Sequence, residues 1–243
     1  MSTKNVISKP DVNSIDSALS RAIVTRFLSL GFAPPTKELL SIITDPQEQL
    51  ALNEALEYLD LPVFHCDARL EELEESFTIL FGHTIQGLVC PYETEYGNLQ
   101  VFQQGQELAD IQGFYNAIGL KRKEDSRERA DHIGMECEYL SILARKEAYL
   151  MEDGDEEQLN ETRQIYRLFL RDHLARFGIA VNHRLERENQ DGFYGRLGFL
   201  CRSFLELECV RLNVSPGLET LPLRSTESHD EPMVCGGCEE DNS

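Results

Sequence analysis

The stretch Asp131-His132-Ile133-Gly134-Met135-Glu136-Cys137-Glu138-Tyr139-Leu140-Ser141-Ile142-Leu143-Ala144-Arg145-Lys146-Glu147-Ala148-Tyr149-Leu150-Met151 sets apolar residues at Ile133, Cys137, Leu140, Leu143, Ala144 and Ala148. That spacing is the 3.6-residue repeat of a helix with one buried face. No segment shows the two-residue alternation of a half-buried strand bounded by turns. The chain is therefore expected to be all-α: a single-domain helical bundle of about eight or nine helices with a flexible acidic C-terminal tail.

The same repeat recurs outward in both directions. Asn13 or Ser14 can cap a helix carrying Ile15, Ala18, Leu19, Ala22, Ile23 and Phe27, with Gly31 as its stop. After Pro34-Pro35, Thr36 starts a short helix through Ile43, and Asp45-Pro46-Gln47-Glu48 reads as a capping box with proline at the first helical position. Residues 67–81 stripe Leu70, Leu73, Phe77 and Leu80 against Glu71, Glu72, Glu74 and Glu75, a solvated face. A helix from about Leu99 ends at Gly119, and the mixed-charge run Lys121 to Arg129 reads as an exposed, mobile loop. Beyond Glu152-Asp153-Gly154-Asp155 come a helix ending near Gly178 and a last core helix from Phe193 to Val210. These readings place a flexible leader at 1–12, the helical domain at 13–212, and a disordered tail at 213–243, where Pro, Gly, Ser and acids leave too little apolar surface to offset chain ordering.

A chain of 243 residues can bury a full core without disulfides or metal. A net charge of −20 from 43 acidic and 23 basic residues argues against a nucleic-acid partner and favours a cationic one, though it also serves solubility alone. Seven scattered cysteines do not form a disulfide framework and point to a reducing compartment. The first ten residues lack the apolar core of a secretory signal, and no run is long enough to span a membrane. The expected location is the cytoplasm, with no membrane insertion.

Catalytic signatures are missing: no Gly-x-Ser-x-Gly elbow, no phosphate-cradling glycine loop, no His-Glu-x-x-His. The chain is read as a non-enzyme without cofactor. Cys90-Pro91-Tyr92-Glu93-Thr94-Glu95-Tyr96-Gly97 alternates rings with carboxylates, a set that accepts guanidinium by bidentate hydrogen bonding and ring stacking. The plainer alternative is a structural loop whose tyrosines plug the core. Asp131, His132 and Glu136 open the helix quoted above; His132 and Glu136 can share a face, while the plainer reading has Asp131 capping the helix and His132 making a local hydrogen bond. His65, Cys66, His83 and Cys90 match no metal spacing and read as packing residues, as do Cys137, Cys201 and Cys209. Cys235-Gly236-Gly237-Cys238 can chelate a metal or form a small disulfide, with two exposed thiols on a disordered tail as the equal alternative.

The runs Pro91 to Gly97, Gln106-Glu107-Leu108-Ala109-Asp110-Ile111-Gln112-Gly113-Phe114-Tyr115, and Arg129-Ala130-Asp131-His132-Ile133 with Glu136, Glu138 and Leu140 resemble the TorD/DmsD/NarJ family. Those are cytoplasmic, all-helical chaperones for molybdenum-containing oxidoreductases of the dimethyl-sulfoxide reductase type. The resemblance implies binding of a twin-arginine signal peptide, or another N-terminal segment, of one apoenzyme until its cofactor is inserted. It implies roles in that binding for Asp131 and His132 and for Tyr92, Glu93 and Tyr96; charge adds Glu95 and Glu136. Where the family often has Glu-Pro before Asp-His, this chain has Arg129-Ala130, and tryptophan is absent. The expected partner is the apo-catalytic subunit, met by a monomer or homodimer. The rival function is a metal- or redox-active accessory protein acting through Cys235 and Cys238.

Overall fold

A computed structural model describes residue 11 and residues 13–82, 87–97, 101–121 and 128–224. Among these, nine helices form: α1 (Ile15–Phe32), α2 (Lys37–Thr44), α3 (Pro46–Tyr58), α4 (Leu70–Phe81), α5 (Val101–Ala117), α6 (Ile133–Asp153), α7 (Glu156–Phe169), α8 (Ala175–Glu188) and α9 (Phe193–Leu212). No strand occurs among the described residues; the only extended pairings there are isolated bridges, Tyr92 with His132 and Tyr96 with Leu223. The all-α expectation holds. No described helix is long and apolar enough to cross a membrane.

Local signals in the sequence set most of the helix starts. Ser14 Oγ accepts from Ser17 N at 3.1 Å, Thr36 Oγ1 from Leu39 N at 3.2 Å, and Asp45 from Gln47 N and Glu48 N, each satisfying amide groups that a helix N-terminus leaves open. Pro46 stands at the first turn of α3 as expected. Glu48, however, turns its carboxylate to Ser41 Oγ at 3.1 Å, which joins α2 to α3. Gly154, at φ 80°, closes α6 in the left-handed conformation.

α1 and α6 pack along each other as the central pair, with α3 across α1, α7 against α6, and α8 with α9 as a second pair. One continuous core joins them, built from Phe27, Leu28 and Phe32 of α1, Leu140 and Leu143 of α6, Phe169 of α7, and Leu197 and Phe204 of α9. Each such fully buried side chain contributes about 1.5–3 kcal/mol. Cys137, Cys201 and Cys209 are buried in it as expected. Cys90 is buried too, but Cys66 is only half-buried, His65 is exposed, and His83 lies outside the described residues.

The two expected helix stops fare differently: α1 ends at Phe32, one residue past Gly31, whereas the helix runs on past Gly178 to Glu188. A Cβ on Gly31 would lie 2.7 Å from a Leu197 methyl, and one on Gly178 would lie 2.8 Å from a Leu205 methyl. Both glycines let α9 approach closely, and Gly178 does so inside a continuing helix. α7 also runs on into α8 through one π turn at Leu170–Leu174, a geometry that concentrates at functional positions.

The chain past Asn213 departs from the expected tail. Residues 214–224 return to the domain: Val214 is buried, Gly217 N donates to Ala175 O at 2.9 Å, and Gly97 N donates to Pro222 O at 2.9 Å. Apolar Val214 and Leu221 supply contacts that a reading of Pro and Gly content overlooks. Most of the 1–12 leader, the 122–127 part of the charged loop, and Cys235 and Cys238 fall outside the described residues.

Candidate functional site

The two stretches singled out in the sequence meet. Glu93 N donates to Asp131 O and Ile133 N to Pro91 O, each at 2.9 Å, so the loop from Cys90 to Gly97 is laid antiparallel on the start of α6. Within it Glu93–Glu95 makes one turn of 3-10 helix. Asp131 Oδ2 accepts from Thr94 N at 3.1 Å and Thr94 Oγ1 at 2.8 Å, pinning that turn. Asp131 is therefore committed to the loop, and His132 is the cap: its Nδ1 accepts from Gly134 N at 3.0 Å. Burial lowers the His132 pKa, against the opposing pull of Glu128 and Asp131, so the ring stays neutral with its proton on Nε2.

Arg129 locks the junction from outside. Its Nε and Nη2 bond Asp131 Oδ1 and Oδ2 at 3.0 and 2.8 Å, and its Nη1 bonds Glu95 Oε1 at 2.7 Å. The guanidinium sits 4.8 Å from the centre of the Tyr92 ring. Burial works against its charge, but the bonds to Glu95 and Asp131 hold its pKa above the ordinary value. This is the bidentate, ring-stacked arginine seat that the loop's composition suggested, filled by the chain's own side chain. Tyr92 also packs edge-on to His132 and donates its hydroxyl to Glu128 at 3.2 Å; burial and Glu128 push its pKa up to about 12.

Beneath lies an acidic layer. His173, on the π turn, bonds Glu93 Oε2 through Nδ1 at 3.0 Å and Asp110 Oδ2 through Nε2 at 3.2 Å. Glu136 is wholly buried beside Glu93, and burial followed by the charge of Glu93 drives its pKa well above the carboxylate range. Burial raises Glu93 as well, partly offset by His173. Two carboxyl groups so close in a dry site disfavour each other's ionised form, and both Glu136 oxygens and Glu93 Oε1 are buried without a hydrogen-bond partner. Tyr96 is buried, donates to Cys90 O at 2.7 Å and leans on Phe177.

Of the seven site residues expected from the sequence, all gather at this junction, but at different depths. Tyr92 and Glu95 reach the surface; Glu93, Tyr96, Asp131, His132 and Glu136 are buried. The sequence reading missed Arg129, which it took as a departure, together with Thr94, Asp110, His173, Glu107 and Arg224. Arg129, two residues ahead of Asp131 and next to an acidic loop in space, carried a readable signal; His173 carried none, since it lies within an ordinary amphipathic helix.

The outer edge of the loop is also occupied. Arg224 N donates to Glu95 O at 2.8 Å, Arg224 Nε to Tyr96 O at 3.1 Å, and Arg224 Nη2 to Glu107 Oε2 at 2.7 Å. A cavity of about 280 Å³ lies between this segment and the domain, lined by Glu93, Tyr96, Arg176, Phe177 and Leu221 among others. Among the described residues no group of three or more His, Cys, Asp or Glu is arranged to hold a metal ion.

No curated protein matches the chain. A family model described as nitrate reductase delta subunit matches residues 45–180, which takes in α3 to α7, the loop from Cys90 to Gly97, the start of α6 and His173. On that match the chain belongs to the nitrate reductase delta subunit family, whose members are chaperones in molybdoenzyme maturation.

Proposed function

We propose that this protein is a system-specific chaperone that binds the N-terminal twin-arginine signal peptide of a molybdenum-containing oxidoreductase of the dimethyl-sulfoxide reductase type. It acts in the cytoplasm on the apo-catalytic subunit and assists cofactor insertion before export or assembly. The observation that carries the reading is the junction of Tyr92, Glu95 and Asp131, whose rings and carboxylates already hold one guanidinium, that of Arg129. A site with this chemistry takes arginine in preference to lysine, because only the planar fork satisfies both carboxylate oxygens while stacking on a ring.

The apolar stretch after an arginine pair needs a different surface. A groove of about 420 Å³ between α1, α3 and α6, lined by Leu19, Ala22, Ile23, Phe27 and Leu52, offers apolar area to a segment that orders on binding. Leu19 and Ile23 are each 43% exposed there, more than a sealed core would leave. The net charge of −20 favours the encounter. Micromolar affinity, about −8 kcal/mol, leaves release fast enough for export.

Calorimetry with the client's signal peptide tests this. Affinity should fall as salt rises, and fall about tenfold when both peptide arginines become lysine. Equal binding of the lysine peptide, or salt-independent binding, overturns the guanidinium seat.

A further inference from the structure

The segment Leu221-Pro222-Leu223-Arg224 is itself an extended, apolar peptide ending in arginine, and it lies on the edge of the candidate site. Its backbone pairs with the loop as an added strand would: Gly97 N to Pro222 O at 2.9 Å and Arg224 N to Glu95 O at 2.8 Å, around the bridge between Tyr96 and Leu223. Its guanidinium bonds Tyr96 O and Glu107, and the Arg224 side chain is only 7% exposed. Glu107 also pairs with Arg176 at 3.3 Å, so that carboxylate is held in place from the domain side.

The rest of the segment is loosely held. Leu218 and Leu223 are 67% and 41% exposed, Pro222 is exposed, and the backbone bond nearest on the N-terminal side is Gly217 N to Ala175 O. Such a segment, with few buried apolar contacts, opens at low cost compared with the core helices. The edge it covers, Glu95 to Gly97, otherwise presents the Gly97 N–H and the Glu95 carbonyl to any extended chain, the pattern of strand addition.

We propose that residues 221–224 are an internal pseudo-ligand: they occupy a strand-addition edge at Glu95–Gly97 whose partner is an extended peptide with an arginine for Glu107, and such a peptide binds by displacing them. The proposal deepens the peptide-binding reading and rests on it for the identity of the partner. The covered edge keeps the acidic site closed to weak, non-specific cations and opens it to a segment that offers both the backbone pairing and the guanidinium.

Hydrogen exchange on the full-length protein separates the possibilities. One probe is a synthetic peptide with an Arg-Arg pair followed by leucines; a second copies residues 217–224. When the first probe binds, exchange at the Arg224 amide should accelerate, because it loses Glu95 O, while the Gly97 amide stays protected by the probe. Arg224→Ala should bind both probes at least about fivefold more tightly than the wild type, the loss of a charge-assisted anchor being of that size. Binding of the first probe with Arg224 exchange unchanged overturns the pseudo-ligand and leaves the chaperone reading standing. Failure of the 217–224 peptide to bind Arg224→Ala also overturns it. If that peptide binds the variant while the Arg-Arg probe binds neither protein, the edge stands and the signal-peptide reading falls.

Discussion

Two of the arginine clasps among the described residues differ in setting. In the core, Arg21 of α1 bonds Glu147 of α6 with side chains 0% and 3% exposed, and Arg163 of α7 closes on the same carboxylate at 2.8 Å. At the loop, Arg129 bonds Asp131 and Glu95 but stays 33% exposed. The first ties three helices together with Arg21 and Glu147 sealed from solvent, and Arg163, 31% exposed, is the member that reaches water. The second has the same ion-pair chemistry plus the Tyr92 face, and its guanidinium is the group that the proposed peptide arginine would contest. What differs is the partner: the Glu147 carboxylate is sealed among helices, whereas Glu95 and the Tyr92 ring are part-exposed, which is what the proposed peptide arginine requires.

The largest test of that difference is Glu147→Ala. The Glu147 carboxyl is held below its ordinary pKa, burial opposing and Arg21 and Arg163 prevailing. Removing it takes the carboxylate from two guanidinium groups, one of them wholly buried, and should cost about 3–5 kcal/mol. Urea denaturation should show this as a lowered midpoint with unchanged slope. Peptide affinity of the protein that remains folded should be unchanged. A loss of affinity as large as the loss of stability would erase the distinction between the clasps.

Asp131→Ala should do the reverse in proportion. It leaves Thr94 N–H and Thr94 Oγ1 without their acceptor and unseats Arg129, at about 2–3 kcal/mol. Because the turn at Thr94 loses its side-chain anchor and only the backbone bonds still hold the loop, calorimetry should show peptide affinity falling about tenfold or more. Stability loss with full retention of affinity would place recognition elsewhere.

How far the sequence revealed this depends on what each residue answers to. Helix existence was legible because the apolar repeat of Ile133, Leu140 and Ala144 is a local signal. The caps at Ser14, Thr36 and Asp45 were legible for the same reason. Gly178 misled, since a glycine that admits a neighbouring helix looks in sequence like a glycine that stops its own. Asp131 likewise looks like a cap and is drawn away by Thr94, a residue distant in the chain and adjacent only after folding. That the loop and the start of α6 belong together came from the family resemblance. That Arg129 and Arg224 fill the site follows only from tertiary contacts, which no spacing rule encodes.

A third arrangement does without a guanidinium. Glu136 and Glu93 form a buried acidic pair whose nearest hydrogen-bonded base is His173, with no arginine bonded to either carboxyl among the described contacts. Where the clasps use a guanidinium, this pair uses a retained proton. A carboxyl whose folded pKa is raised keeps its proton while the unfolded chain releases its own near the ordinary value of 4.5. The contribution to stability is thus complete below that value and declines as pH rises through the folded pKa. Glu136→Gln keeps the shape of the side chain and has no proton to release. The variant should match the wild type at pH 4 and exceed it by on the order of 1 kcal/mol at pH 8, read from urea midpoints at the two pH values. A gap that fails to widen with pH would mean that the carboxyl pair is ionised and balanced by a cation, as the arginine clasps are, and that the proton is not what holds it.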